Sequence, residues 1–238
     1  MVSTGPGAAV VVDAGPDPVA VDRCLRDLRV TVVPLLLLTH FHADHVEGLP
    51  GVLRRRHVGE IEVTVLADPP DEVRRVHQWA ADAHVPVHQV RIGEQRSIGD
   101  VSWTVLWPAR VIEEESRPNN ASVVMRLVTH GVVVLLTGDV EPPAQAAILA
   151  ADVGQLRADV LKVPHHGSAN QDPDFLRATG ARLAIVSVGV GNPYGHPAPR
   201  TLDLLQSWGV QLDRTDLDGD VAVVGSQGEV ALVPRHPP

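Results

Sequence analysis

The sequence predicts an α/β protein built from layers of helix and sheet, and three observations carry that expectation. Short β-branched runs alternate with stretches of helical composition, several of the runs are apolar at every position, and Pro or Asp stands near the start of several helical stretches. A run without polar alternation suits a strand covered on both faces. Pro at the first helical position costs nothing, because its missing N–H would have no partner there.

In chain order, strands are expected at Ala8 to Val12, Leu35 to Leu38, Ile61 to Leu66, Trp103 to Trp107, Val123 to Val128, Val132 to Leu136, Val160 to Val163 and Leu183 to Val188. Helices are expected at Pro18 to Leu28, Val46 to Arg55, Asp71 to Ala83, Pro142 to Ala150, Pro173 to Thr179 and Pro199 to Trp208. His130 and Gly131 fall between two apolar runs and read as a hairpin turn. One domain over 1–238 accommodates these elements, with a polar, Pro-rich tail expected to fray after Val233.

Composition removes several function classes. The chain has 20 Lys and Arg against 29 Asp and Glu, a net charge of -9, so bulk attraction to a polyanion or an anionic membrane is absent. Aromatic residues make up only 3%, which leaves little for base-stacking platforms. The single Cys24 excludes an intrachain disulfide and any Cys-based metal site. The longest apolar runs, Pro34 to Leu38 and Val132 to Leu136, are strand-sized, so the chain reads as soluble. No Gly-x-Ser-x-Gly elbow is present, and Cys24 lies in a helical pattern far from any His cluster.

The densest chemistry follows the apolar run Leu35 to Leu38. Thr39-His40-Phe41-His42-Ala43-Asp44-His45 places three imidazoles and a carboxylate where a buried strand delivers its loop to the carboxyl edge of a sheet, a usual place for active sites. Neutral imidazoles and carboxylates suit Zn²⁺ and related divalent ions, whereas four such groups packed together without a cation repel one another when protonated.

His-Phe-His-Ala-Asp-His-Val-Glu-Gly resembles the His-x-His-x-Asp-His motif of the metallo-β-lactamase superfamily. That resemblance implies a four-layer αββα sandwich and two divalent metal ions, Zn or Mn, with His40 and His42 serving one and Asp44 and His45 the other. Val-Val-Asp-Ala-Gly, with Asp13, resembles the family's first motif, a strand-end Asp that supports the site. Leu-Leu-Thr-Gly-Asp-Val resembles the motif whose Asp, here Asp139, bridges the metals. His196, after a strand and a Gly-rich turn, matches the last metal His.

Asp-Val-Leu-Lys-Val-Pro-His-His-Gly-Ser and Asn-Pro-Tyr-Gly-His-Pro resemble the extracellular domain of the ComEC/Rec2 competence proteins. Arg-Pro-Asn-Asn-Ala-Ser and Arg-Thr-Asp-Leu-Asp-Gly extend that likeness over nearly the whole chain. It implies a nuclease that hydrolyses DNA, single-stranded by preference, with metal-activated water. It also implies a membrane-embedded parent that presents this domain at the extracellular face of the bacterial cell membrane.

His165 and His166 are expected in the site as phosphate binders or proton donors, one of them open to metal ligation, and Asp44 also counts as catalytic. Ser168, Asn192 and Tyr194 are expected as hydrogen-bonding neighbours. Lys162 either faces phosphate or reaches solvent. Arg54, Arg55 and Arg56, the only Arg triplet, are a candidate phosphate-contacting edge.

Two departures from the superfamily pattern stand out. Asn119 and Asn120 occupy the place of the third-motif His, which leaves the first metal site either weaker or completed by His165 or His166. The family's opening strand and turn are missing before Ser3. The superfamily likeness keeps a small-molecule hydrolase open as the alternative, such as a phosphorylcholine esterase, lactonase or β-lactamase. The Asn pair keeps open a metal-poor domain that only binds DNA or gates a channel.

Overall fold

A computed structural model describes residues 1–226 and 229–235 of the chain. Strands β1 (Val2–Gly5), β2 (Ala8–Val12), β3 (Val32–Leu38), β4 (His57–Val63) and β5 (Val87–Gln89) form one sheet in that spatial order, with β1 antiparallel to β2 and the rest parallel. Strands β6 (Gln95–Ile98), β7 (Val101–Trp107), β8 (Val124–Thr129), β9 (Val132–Leu136), β10 (Val160–Lys162), β11 (Leu183–Val186) and β12 (Gln211–Arg214) form a second sheet. Its first half is an antiparallel meander, and from β9 to β12 the strands run parallel. A separate hairpin joins β13 (Asp220–Ser226) to β14 (Glu229–Arg235).

The four-leucine run of β3 shows why alternation is missing from the sequence. Leu35 and Leu37 face the second sheet and meet Val101, Trp103, Val105, Met125 and Leu127. Leu36 and Leu38 face the opposite way and pack with Leu25, Val46, Leu49 and Val76 under helices. All four leucines are fully buried, each contributing roughly 2 kcal/mol of transfer free energy.

On the far side, Leu135, Leu161, Ala184 and Val186 pack under Ala144, Ile148, Phe175, Leu176 and Leu205. The layers therefore run helix, sheet, sheet, helix, which is the expected four-layer sandwich. The β13–β14 hairpin covers the inner face of the second sheet where the first sheet ends, with Leu232 against Val132, Val160 and Leu183.

Several expected boundaries shift for physical reasons. The single helix expected over Val46 to Arg55 is two short ones, Ala43–Val46 and Leu49–Leu53. A Cβ on Gly48 would lie 2.1 Å from the Ala14 carbonyl oxygen, so the chain approaches the loop after β2 too closely there for any side chain, and Pro50 fits only in the first turn of a new helix. Pro234 and Arg235, expected in a frayed tail, pair with Val221 and Asp220, while residues 236–238 lie outside the described residues. Val2–Gly5 pairs with β2 as the edge strand of its sheet. The His130–Gly131 turn is as expected, with φ 49° and 76°, the left-handed geometry of a two-residue hairpin. Among the described residues, no helix is long and apolar enough to cross a membrane.

Candidate metal centre

Five parallel strands end at one edge of the sandwich and deliver the site. Asp13 follows β2, Thr39 to His45 follow β3, Asp139 comes three residues after β9, His165 and His166 follow β10, and Ser187 follows β11. Placing polar groups at the carboxyl ends of buried parallel strands lets rigid backbone aim them into one cleft.

One ligand atom from each of Asp44, His45, Asp139 and His166 lies within 4.8 Å of the others. His45 Nε2 is 3.2 Å from Asp139 Oδ2, and His166 Nε2 is 3.1 Å from both Asp139 Oδ2 and Asp44 Oδ2. Both imidazoles are anchored through their other nitrogen. His45 Nδ1 is 2.8 Å from Asp13 Oδ2, and His166 Nδ1 is 2.7 Å from the Ser187 carbonyl oxygen. Fixing Nδ1 in this way sets the ring orientation and turns Nε2 toward the quartet, the arrangement that orients metal-binding histidines.

Electrostatics favour a cation among these four groups. Burial opposes protonation of His45, but Asp139 and Asp13 outweigh it and raise its pKa to about 10. Burial likewise opposes protonation of His166, and hydrogen bonds to Asp139 and Asp44 raise it to about 9. Burial pushes the Asp44 and Asp139 carboxyls up. For Asp44, His166 and His45 reverse that; for Asp139, His45, Lys162 and His166 do. Both carboxylates end well below their usual range. Two ionised carboxylates and two imidazoles that attract positive charge, with ligand atoms this close, fit a divalent metal ion.

His40 and His42 form a second group. His40 Nε2 is 3.0 Å from His42 Nδ1, and burial lowers the pKa of both, most strongly for His40, so both stay neutral as ligands must. His40 Nδ1 lies 3.2 Å from Thr39 Oγ1 and 3.3 Å from Ser122 Oγ. Ser122 Oγ also accepts the Asp139 N–H at 3.0 Å, tying the two groups together. At Gly138 the φ of 50° and a Cβ position 2.6 Å from Ser122 Cβ both demand glycine just before Asp139.

The remaining expected residues divide sharply. Asp13 stands behind His45 and also accepts from the Thr39 N–H and hydroxyl at 2.7 and 2.9 Å. Lys162 Nζ reaches Asp139 Oδ1 at 3.2 Å and the Gly138 carbonyl at 2.8 Å, so it borders the site. His196, expected as the last metal ligand, is outside the quartet. Consecutive left-handed backbone at His165 and His166, φ 46° and 52°, folds His166 into that place. The His196 ring lies 5.2 Å from the His165 ring and stacks on Tyr194, which is 79% exposed.

Ser168 is buried and holds the turn together, its carbonyl accepting from the Thr201 hydroxyl at 2.7 Å. Asn192 accepts from the Tyr194 N–H at 2.9 Å and shapes its own loop. Asn120 accepts from the Glu141 N–H through its side chain and from Trp107 Nε1 through its carbonyl, a structural role. Asn119 Nδ2 donates to Glu141 Oε1 at 2.9 Å.

The Arg triplet is a correction. The Arg56 side chain is buried, donating to Asp22 Oδ1 at 2.8 Å and to the Val30 and Gly51 carbonyls, and Arg54 NH1 is 3.9 Å from Asp22. The triplet precedes β4, whose first residue His57 pairs with Val32 at the start of β3, so it marks the end of the sheet opposite the site. Seven strand residues separate the two ends, roughly 20 Å.

Sequence reasoning missed Ser122 and Glu141. Ser122 lay in a segment where only the two asparagines were singled out. Glu141 follows Asp139 by two residues, and an acidic group there carries no sequence signal beyond its proximity. The His165 imidazole 3.3 Å away, with hydrogen bonds from Asn119 and the Ser116 N–H, outweighs the effect of burial on Glu141 and lowers its pKa to about 2.

A model of the Metallo-beta-lactamase superfamily matches residues 1–189, and with the four-layer sandwich and this centre the chain belongs to that superfamily. Its relatives include ComE operon protein 3 of Bacillus subtilis, 32% identical over 189 residues that cover 78% of this chain and 24% of that protein. Competence protein ComA of Neisseria gonorrhoeae is 34% identical over 190 residues, covering 77% and 24%. The chain thus spans about a quarter of the length of these curated relatives. The metallo-beta-lactamase fold protein YhfI of Bacillus subtilis has a similar fold, with a TM-score of 0.51 at 11% identity over 92% of this chain and 85% of that one.

Proposed function

We propose that the chain is a divalent-metal-dependent phosphodiesterase that hydrolyses DNA, with single strands preferred. The observation that carries this is the convergence of Asp44, His45, Asp139 and His166 at the carboxyl edge of the two sheets. In this reading those four hold one ion, Zn or Mn, and His40 and His42 with Asp139 hold a second. Divalent ions there supply Lewis-acid polarisation of the scissile group and activation of water.

The chain's own residues do the rest. Asp13 and the Ser187 carbonyl fix the two ring orientations, and Asp44, more exposed than its partners, faces the cleft as an acceptor for the attacking water's proton. Lys162, beside Asp139, adds a local positive charge in a chain whose net charge is -9. Phosphate binding then depends on the centre itself, so affinity is modest. A site sunk among strand-end loops favours an unpaired strand over a stacked duplex. The likeness to competence proteins supports a place in DNA uptake, with a larger membrane-embedded parent presenting this domain at the extracellular face and degrading the strand that is not imported.

A second reading, a small-molecule esterase or lactonase, is favoured by one observation. A cleft of about 1010 Å³ lined largely by apolar side chains, among them Val12, Val134, Leu136 and Ile185, opens on Asp44, His45, Lys162 and His166. Incubating the purified chain and added Mn²⁺ or Zn²⁺ with single- and double-stranded DNA, RNA and small esters separates the readings. Metal-dependent cleavage of single-stranded DNA is expected. Turnover of small esters alone, with metal bound, would replace the nuclease.

A further inference from the structure

We propose that Tyr194 is a stacking platform for one base of the substrate strand, a few nucleotides from the phosphate held at the metal centre. The proposal rests on the phosphodiesterase reading and supplies a substrate contact which that reading lacks. The chain has one Tyr, two Phe and four Trp. Phe41, Phe175, Trp103 and Trp107 are buried, Trp79 and Trp208 are half-buried, and Tyr194 alone is open to solvent, at 79% exposure. A ring kept in water forgoes the free energy of burial, and its apolar face is the part it offers a ligand.

A ladder of rings connects Tyr194 to the metal centre. The His166 and His165 centroids are 6.2 Å apart, His165 and His196 are 5.2 Å apart, and His196 and Tyr194 are 6.4 Å apart with planes inclined by only 23°. Three short steps therefore lead from a member of the quartet to the exposed ring. The loop that carries Tyr194 is fastened. Asn192 Oδ1 accepts the Tyr194 N–H at 2.9 Å and the His196 N–H at 3.5 Å, while the Asn192 N–H donates to the Gly189 carbonyl at 3.3 Å. Past His196, the Ala198 N–H donates to the Gly167 carbonyl at 2.8 Å, and a Cβ on Gly167 would lie 2.8 Å from Pro197 Cβ. Gly167 belongs to the turn that carries His165 and His166, so the ring is placed relative to the centre before substrate arrives. A rigid side chain with two torsions then loses little entropy on stacking.

Two observations favour a base of a strand as the occupant. The apolar cleft is lined by Asp44, His45 and His166 but not by His165, His196 or Tyr194, so the ladder leaves the centre by a different path, reached by a strand that continues past the metals. The net charge of -9 withholds bulk attraction from a polyanion, so affinity gains most from a contact that does not depend on charge. Every base has a π-face, and stacking on one ring adds affinity without selecting sequence.

Abasic scanning of a single-stranded oligodeoxynucleotide tests this in the metal-loaded protein. Removing the base at one position near the cut should raise KM about 10-fold, with much smaller effects at other positions. Tyr194→Ala should raise KM on the intact strand by the same factor, and that variant should no longer distinguish the intact strand from the one abasic at that position. Tyr194→Phe and Tyr194→Trp should keep the low KM, because the ring and not the hydroxyl makes the contact. The loss in Tyr194→Ala should be equal at low and high salt, as a contact without charge requires. A variant Tyr194→Ala that still senses the missing base, a Tyr194→Phe as impaired as Tyr194→Ala, or a loss that disappears at high salt would each overturn the proposal. An unsubstituted protein that cleaves no strand would sink the phosphodiesterase reading instead. Emission of a 2-aminopurine base in the bound strand would still decide the stacking: quenching by the unsubstituted protein but not by Tyr194→Ala supports it, and equal emission with both overturns it.

Discussion

Asp13 and His45 meet at 2.8 Å, Oδ2 to Nδ1, and Asp13 takes two more hydrogen bonds from Thr39, at the start of the motif that carries His45. One carboxylate therefore sets both the loop and the ring. Asp13 adopts φ 56°, which asparagine tolerates, so Asp13→Asn keeps the backbone while removing the charge behind the imidazole. Affinity for the ion held by His45 is expected to fall roughly 10- to 100-fold with the fold intact. Competition with a chromophoric chelator measures it, and unchanged affinity would mean that Asp13 only shapes the loop.

The raised pKa values of His45 and His166 predict proton release on metal binding. With values of about 10 and about 9, both rings carry a proton at pH 7, and a metal must displace it. Adding Zn²⁺ to weakly buffered, chelator-stripped protein at pH 7 should release up to about two protons per chain. Stability of the stripped protein follows the same groups. Groups with a raised folded-state pKa stabilise while protonated. Their contribution is complete below about pH 6.5, the ordinary histidine value, and is lost as pH rises through 9 to 10. Asp44 and Asp139, whose pKa values are lowered, act oppositely and lose their contribution as pH falls below about 4. Thermal melts of stripped protein should therefore decline from pH 6.5 to 10, and a flat profile there would contradict the raised values.

The Arg triplet predicts a null result for DNA. Arg56 is committed to Asp22 and two carbonyls, and the triplet lies at the far end of the parallel sheet from His45. Arg55→Ala should leave affinity for a single-stranded oligonucleotide and its salt dependence unchanged, and Arg56→Ala should lower the melting temperature without altering catalysis. A salt-dependence slope reduced by about one charge in Arg55→Ala would restore the triplet as a phosphate contact.

Unequal metal affinities follow from Asn119. Its amide donates to Glu141, and amides are poorer ligands than imidazoles, so the ion assigned to His40 and His42 rests on fewer strong donors than the one in the quartet. Stepwise chelation should remove one ion first, leaving protein that still releases its second only at higher chelator concentration. Simultaneous loss of both would refute the inequality.

How much of this was legible in the sequence depended on whether a signal was local. The core strands were readable because β3 and β9 are apolar on both faces, and the metal motif because its four groups lie in a six-residue stretch just after one buried strand. Strands β5, β6 and β12 escaped notice because they are short and polar, and polar residues on partly exposed strands leave no hydrophobic period to detect. The Arg triplet misled because spacing cannot tell which end of a strand a loop occupies. Glu141 and Ser122 were invisible as site residues because their roles arise only when β8, β9 and β10 are neighbours.

The last metal histidine is the sharpest case and gives the final prediction. His196 had the sequence context of that ligand, a loop after a strand and a Gly-rich turn, whereas His166 stood next to another His and was open to several roles. In the folded chain two successive left-handed residues swing the His166 ring inward, and its Nε2 lies 3.1 Å from Asp44 and from Asp139. The His196 ring packs instead between His165 and Tyr194, with burial as the first cause lowering its pKa and His165 adding to it. His166→Ala should therefore remove one equivalent of bound metal and abolish metal-dependent hydrolysis, because a ligand is lost from the quartet and the Asp139 and Asp44 carboxylates lose their shared partner. His196→Ala should keep the full metal content and change mainly KM, through the loop that carries Tyr194. Elemental analysis of the two variants decides between them: metal lost from His196→Ala and kept by His166→Ala would return the ligand role to His196.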